Sequence, residues 1–245
     1  MKIDAHVFIG KGKHLQLSVD DLLHRMDDAD VSMAVVSPVD HYIAVNNTEG
    51  NDLVINAIKT HPDRLIGRAV ANPWYGEKAV KELERAFSEG LSGLMLHAPY
   101  QGFRLSDHIV DPLLNVAEKY QAPVYAHTGT AGLAEPLHVI ELARRFPKLN
   151  FIMGHSGSSD YSEDVVFAKG FLDNVWLETS RNGPANFNMF KIHGLTHRIV
   201  FGSSAPEYIP KIEIETLCDV FTEAEDQAKV LSENIREAYR GRFIS

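Results

Sequence analysis

"KIDAHVFIGKGKH", residues 2–14, decides between two architectures. Its first part is a short apolar run carrying β-branched residues, the pattern of a buried strand. Its second part is the turn that follows. In a doubly wound open sheet that turn holds a glycine-rich phosphate fingerprint. Here residues 10–14 read GKGKH, which is neither G-x-G-x-x-G nor a P-loop. The open sheet therefore lacks its expected mark, and a closed barrel becomes the architecture to test along the chain.

Similar runs recur outward from this one. Candidate strands are Ile3–Ile9, Met33–Ser37, Leu65–Ala71, Gly93–His97, Pro123–His127, Phe151–His155, Val175–Thr179 and Ile199–Ser203. Between them lie stretches with apolar residues three and four apart, such as Val19–Asp28, Glu77–Glu89, Pro112–Tyr120 and Leu137–Phe146, which is the helical period. Strand and helix alternate from end to end, and no Ser/Gly/Pro-rich linker interrupts them. This predicts an α/β chain forming one (β/α)8 TIM barrel over residues 1–245, with its working face at the C-terminal ends of the strands.

Bulk properties narrow the function. The 245 residues are 44% hydrophobic and 23% charged, ordinary for a soluble globular chain. A net charge of −9 argues against nucleic acid as partner, because that binding rests on concentrated positive charge. No apolar run has the length of a membrane span, and the first residues lack the basic start and long apolar stretch of a secretory signal. The lone cysteine, Cys218, excludes an internal disulfide and any cysteine-rich zinc site. The expectation is a cytoplasmic protein acting on a small molecule, with a homo-oligomer left open.

Chemistry gathers at the strand ends. His6 lies in the first candidate strand, while His97, His127 and His155 close the fourth, fifth and sixth. In a barrel those ends converge, and neutral imidazoles are common metal ligands. Strict alternation along the strands places Asp4, His6 and Phe8 on one side, Tyr125 with His127, and Met153 with His155. One histidine at a strand end is most simply a hydrogen-bonded structural residue; four at equivalent ends point to a site. Glu178 in "WLETS" is a candidate acid or base near the mouth, its bland alternative being a pair with a nearby cation. A serine nucleophile is set aside, because neither "GHSGS" (154–158) nor "GSSA" (202–205) completes G-x-S-x-G.

Taken together, "KIDAHVFIG", "GLMLHAPYQGFRLSD", "APVYAHTGT", "FIMGHSG", "VWLETS", "RIVFGSSAP" and "VLSENIREAY" resemble the metal-dependent amidohydrolase superfamily, in its amidohydrolase 2 branch. That branch includes decarboxylases related to the aminocarboxymuconate-semialdehyde enzyme. The resemblance spans almost the whole chain and implies a barrel, a divalent metal, usually zinc, and hydrolysis or non-oxidative decarboxylation of a small molecule. It implies His6 and His127 as metal ligands, and His155 as a residue positioning substrate or water. Three positions depart from the pattern: Phe8 stands for the second histidine of D-x-H-x-H, Ser204 for the aspartate of G-[ST]-D-x-P, and Met95 for the lysine of G-x-K-x-H. Phenylalanine offers no lone pair, and serine is a poor ligand and base beside a carboxylate.

The expected function is therefore a hydrolase in which His6, His127 and His155 hold the ion and its water attacks an amide, ester or lactone carbonyl. His155, Glu178 and Ser204 are the candidate catalytic groups, and His97, Tyr100, Arg104, Thr128 and Arg181 the candidate substrate contacts. Two alternatives stand beside it. One is an inactive or metal-free barrel that binds a small molecule or partner, motivated by Phe8 and Ser204. The other is a decarboxylase using the same pocket.

Overall fold

A computed structural model describes residues 1–158 and 160–243. Ser159, Ile244 and Ser245, within the single domain expected over 1–245, lie outside the described residues. Among the described residues nine strands form one sheet: β1 (Ile3–Lys11), β2 (Gln16–Leu17), β3 (Met33–Pro38), β4 (Leu65–Val70), β5 (Gly93–Leu96), β6 (Val124–His127), β7 (Phe151–Gly154), β8 (Val175–Glu178) and β9 (Ile199–Val200). Their order is β2-β1-β3-β4-β5-β6-β7-β8-β9. All pairings are parallel except the short β1–β2 ribbon.

The segment after β9 returns to β1 and closes the cylinder. Ala5 N donates to Phe201 O, Ser204 N to His6 O and Phe8 N to Ala205 O, each at 2.8 Å. Eight strands of the predicted barrel thus appear where the apolar runs placed them.

Two apolar layers follow from the two faces of the strands. Leu94, Leu96, Val124, Ala126, Phe151, Met153 and Leu177 pack outward against the helices. Met95, Tyr125, Ile152 and Trp176 fill the interior, the packed core of a small barrel. The helices begin and end on local chemistry. Ser18 caps Val19–Asp28 by accepting from Asp21 N, and Leu22 and Met26, four residues apart, are its buried face. Glu135 and His138 form a reciprocal cap ahead of Pro136–Arg145, with Pro136 in the first turn, where a missing N–H does no harm. Among the described residues no helix is long and apolar enough to cross a membrane.

Strict alternation fails at two places that matter. In β1 the register against β3 shifts between Asp4 and Val7. Ile3, Ala5 and Phe8 join the interior layer while Val7 and Ile9 join the outer one. Asp4 therefore does not share a side with His6 and Phe8. Its carboxylate instead accepts from the backbone N–H of His6 and Ser203 across the closing seam. The second failure is at β7, where Met153 packs outward. His155 follows the strand at φ 61°, and this left-handed turn, not alternation, swings its ring into the mouth.

Candidate active site at the strand ends

The mouth of the barrel holds a cavity of about 210 Å³ lined by Phe8, Leu15, His97, Pro99, Tyr100, His127, His155, Arg181 and Glu207. A larger groove of about 690 Å³ lies on the outer helices, around Leu137, Arg144, Phe167 and Phe171. It is remote from the strand ends and holds none of the candidate residues. Several residues around the mouth that are not glycine have positive φ: His155 (61°), Ser156 (45°), Arg181 (64°) and Ser204 (55°). Such backbone is costly for side chains with a Cβ, and it gathers at sites where the surrounding fold holds it in place.

On the side built by β6, β7 and β8 the polar groups form one chain. Buried Glu178 accepts from Ser180 N at 2.6 Å, Ser180 Oγ at 2.9 Å, His155 N at 3.0 Å and Tyr125 Oη at 3.1 Å. Burial raises its pKa, and these four donors oppose the rise, led by Ser180 N–H. Among the described residues no lysine or arginine pairs with Glu178, and His155, 3.7 Å away, is neutral. Glu178 is instead the acceptor around which the turn after β8 folds. Room for it exists because residue 202 is glycine: a Cβ there would stand 2.3 Å from Glu178 Oε1.

The proton positions along this chain follow from its ends. Ser180 Oγ donates to Glu178, so at 2.7 Å it accepts from His155 Nδ1–H. His155 Nε2, 3.1 Å from His127 Nδ1, is then the acceptor of a His127 Nδ1–H bond. His127 is left with its Nε2 lone pair free, on a ring that lines the cavity. Burial, and after it the charge of Arg181, holds His127 down to about 3. His155 is likewise held well below the ordinary imidazole range, first by burial. Both rings are neutral.

His97 stacks on His127 at 3.9 Å between ring centroids, and Tyr100 stacks on His97 at 4.0 Å. His97 Nδ1 accepts from Tyr100 N. Burial raises the Tyr100 phenol, which stays protonated. Arg181, half-buried at the rim, lies 3.6 Å from Glu207.

The opposite side, built by β1 and the closing segment, is sealed. His6 is fully buried, stacked on Tyr125 at 4.3 Å and edge-on to Phe8 at 4.6 Å. Its Nδ1 lies 3.2 Å from the guanidinium of Arg68, and among the described residues its Nε2 has no hydrogen-bond partner. Ser204 is wholly buried and gives its hydroxyl to Glu207 at 2.9 Å; it does not line the cavity. Thr128 also stands outside it: its hydroxyl donates to Gly154 O at 2.6 Å and accepts from Gly157 N at 2.8 Å, stapling the ends of β6 and β7. Arg104 is exposed in the loop after β5, its N–H bonded to Asp107.

The three expected metal ligands meet here, yet they do not compose a metal site. His127 and His155 bond directly to each other, and that hydrogen bond occupies the His155 Nε2 lone pair. Among the described residues no three His, Cys, Asp or Glu side chains are placed to hold one ion. The donor chemistry agrees. A guanidinium can only donate, so His6 Nδ1 is an acceptor and the hydrogen of the neutral ring sits on Nε2, where a ligand needs a lone pair. Phe8 supplies none. A divalent ion therefore does not fit the residues present.

Arg68 and Glu207 are the residues that sequence reading did not single out. Arg68 had a signal: it is the one charge in "LIGRAV" (65–70), a strand otherwise apolar on both faces. Glu207 had none: Ser204, three residues before it, is a local turn partner, and Arg181 comes to it only through the tertiary fold.

Comparison with known proteins places this geometry. No curated protein matches significantly. Several solved structures are similar. A 5-carboxyvanillate decarboxylase from Novosphingobium aromaticivorans, complexed with manganese and a nitrobenzoic acid, aligns with TM-score 0.79 and 16% identity over 98% of this chain and 96% of that one. A 2,6-dihydroxybenzoate decarboxylase from Rhizobium aligns at 0.75 and 19%, covering 98% of each chain. An Acinetobacter baumannii protein described as a probable 2-pyrone-4,6-dicarboxylic acid hydrolase, with citric acid bound, aligns at 0.69 and 19% over 98% and 99%. At these identities the likeness is one of fold. The family pattern for amidohydrolases matches residues 13–241, beginning after β1, so the chain belongs to the amidohydrolase family.

Proposed function

We propose that this protein is a cytoplasmic hydrolase of a small carboxylate-bearing ester or lactone, with His127 as the base that takes a proton from the attacking water. The observation that carries the proposal is the unbroken chain Glu178–Ser180–His155–His127, which ends in a bare Nε2 on a cavity-lining ring. A neutral imidazole whose free nitrogen accepts is set to remove a proton from water. It is not set to deliver one to an aromatic carbon, which decarboxylation requires. His155, Ser180 and Glu178 act as positioning residues, fixing the His127 tautomer and facing the imidazolium that forms.

Arg181 suits the substrate carboxylate, because a guanidinium at the rim pairs with a carboxylate through two parallel bonds. That carboxylate would also offset the Arg181 charge, one of the two causes that make His127 a weak base. No step passes through a zinc ion, for which the donor set is unsuited. The named solved relatives act on compact ring carboxylates, and a 210 Å³ cavity walled by Phe8, Tyr100 and His97 is of that scale.

The test uses 2-pyrone-4,6-dicarboxylate and 2,6-dihydroxybenzoate as probes. The expected result is ring opening of the pyrone, with kcat lowered about 100-fold or more in His127→Ala and KM raised in Arg181→Ala. Release of carbon dioxide from the benzoate, undiminished in His127→Ala, would overturn the reading in favour of the decarboxylase alternative.

A further inference from the structure

Arg68 is the most unusual residue of the interior. It sits in β4 and is wholly buried, and among the described residues it takes part in no ion pair. Its NH2 group donates to Ala5 O at 2.8 Å and Val35 O at 3.4 Å and contacts His6 Nδ1 at 3.2 Å. Its plane lies over the Tyr125 ring at 4.3 Å. Among the described residues Nε and NH1 have no hydrogen-bond partner. A buried charge is ordinarily neutralised, paired or bound to a counter-charge. Arginine cannot lose its proton in a protein, so this charge is permanent.

Its placement bears on the one position where β1 would meet a metal. The guanidinium approaches His6 from the Nδ1 side, Tyr125 covers one face of the ring, and Phe8 stands at its edge. His6 carries its hydrogen on Nε2 and has no lone pair left to share. A divalent cation at this ring would also lie close to a fixed positive charge in a medium of low dielectric, where repulsion is strong.

We propose that Arg68 is the resident cation of this barrel: it locks His6 as a hydrogen-bond acceptor at Nδ1 and keeps a divalent metal ion off the strand ends. The apolar residue at position 8 completes the exclusion from the mouth side. The inference concerns β1 and β4 and stands apart from the hydrolase proposal, which concerns β6, β7 and β8.

Two measurements test it, both on the full chain. In protein labelled with 15N-histidine, long-range proton–nitrogen NMR reads the tautomer of each ring, and His6→Gln identifies the His6 signals. The expected state is Nε2–H, unmoved by added zinc chloride. A His6 ring protonated at Nδ1, or His6 signals that shift on stoichiometric zinc binding to the wild type, overturns the proposal. Equilibrium dialysis against zinc followed by elemental analysis then compares the wild type with the double variant Arg68→Leu, Phe8→His. The variant should bind zinc at least about tenfold more tightly, the range by which surrounding groups tune metal affinity. Equal uptake by the two folded proteins overturns the exclusion role. If the double variant does not fold, the wild-type tautomer and zinc titration decide the matter. Loss of the proposal here leaves the pyrone assay readable, since that assay reports on His127.

Discussion

The two halves of the barrel mouth solve the problem of buried polar groups in opposite ways. On the β6–β8 half the polar groups at the mouth are joined in one network: Glu178 receives four donors, and its hydrogen bonds run on through Ser180 and His155 to His127 at the cavity. The β1–β4 half leaves groups unmet, with His6 Nε2 and Arg68 Nε and NH1 lacking hydrogen-bond partners among the described residues, and seals them behind Phe8 and Tyr125. A satisfied polar network can pass a proton and return to its starting state. A sealed half can hold a charge and shape but offers no free lone pair. The difference teaches that histidines at equivalent strand ends need not do equivalent work.

The contrast is most severely tested at Glu178. Glu178→Leu strands several buried donors at once and should lower stability by about 4 kcal/mol, while Glu178→Gln, which keeps an acceptor, should lose about half of that. Urea denaturation distinguishes them. Equal, small losses in both would mean that the network is not what holds this half together.

Acid should act on the same half with nearly the same size. His127 has a folded pKa of about 3, below its unfolded value. Between about pH 6.5 and 3 the unfolded chain binds a proton that the folded one refuses, so stability falls as pH drops through that window. The loss is of order 5 kcal/mol if the pKa gap is fully expressed. Asp4 runs the other way. Burial raises it to about 7, so the folded chain keeps a proton the unfolded one has released, and stability falls as pH rises from about 4 to 7. His155, His97 and His6 are held down in the same direction by burial, so His127→Gln should make the acid limb shallower without removing it and leave the neutral limb as it was. An acid limb unchanged in that variant would assign the effect elsewhere.

On the sealed half, Phe8→Ala should cost about 3 kcal/mol, the range for truncating a buried aromatic ring, and should open the cavity toward His6. Thermal unfolding measures the first effect. The smallest effect is expected at Thr128, whose hydroxyl ties Gly154 O to Gly157 N. Thr128→Val should lose about 1–2 kcal/mol. It should leave the pyrone KM nearly unchanged, because the residue does not line the cavity. A large KM change would return Thr128 to the list of substrate contacts.

Much of this arrangement was legible before any coordinates. Apolar, β-branched runs mark strands through local periodicity, and their spacing leaves room for one crossover helix each, so the barrel and its eight barrel strands follow from the chain itself. The gathering of His97, His127 and His155 at strand ends is equally local, since a barrel brings all such ends to one face. Asp4 and His155 escaped the same logic. A one-residue irregularity in β1 and a left-handed residue after β7 break the two-residue alternation, and neither leaves a mark in residue type.

What the sequence determined by itself is therefore the frame: which segments are strands, in what order, and which chemical groups reach the mouth. The tertiary structure decided what those groups do there. A tautomer depends on the partner across a hydrogen bond, and the partners of His6 and His155 are Arg68, 62 residues away, and Ser180, 25 residues away. Periodicity carries no information about such pairs, because they exist only once β4 has been set beside β1 across β3 and the turn after β7 has met the turn after β8.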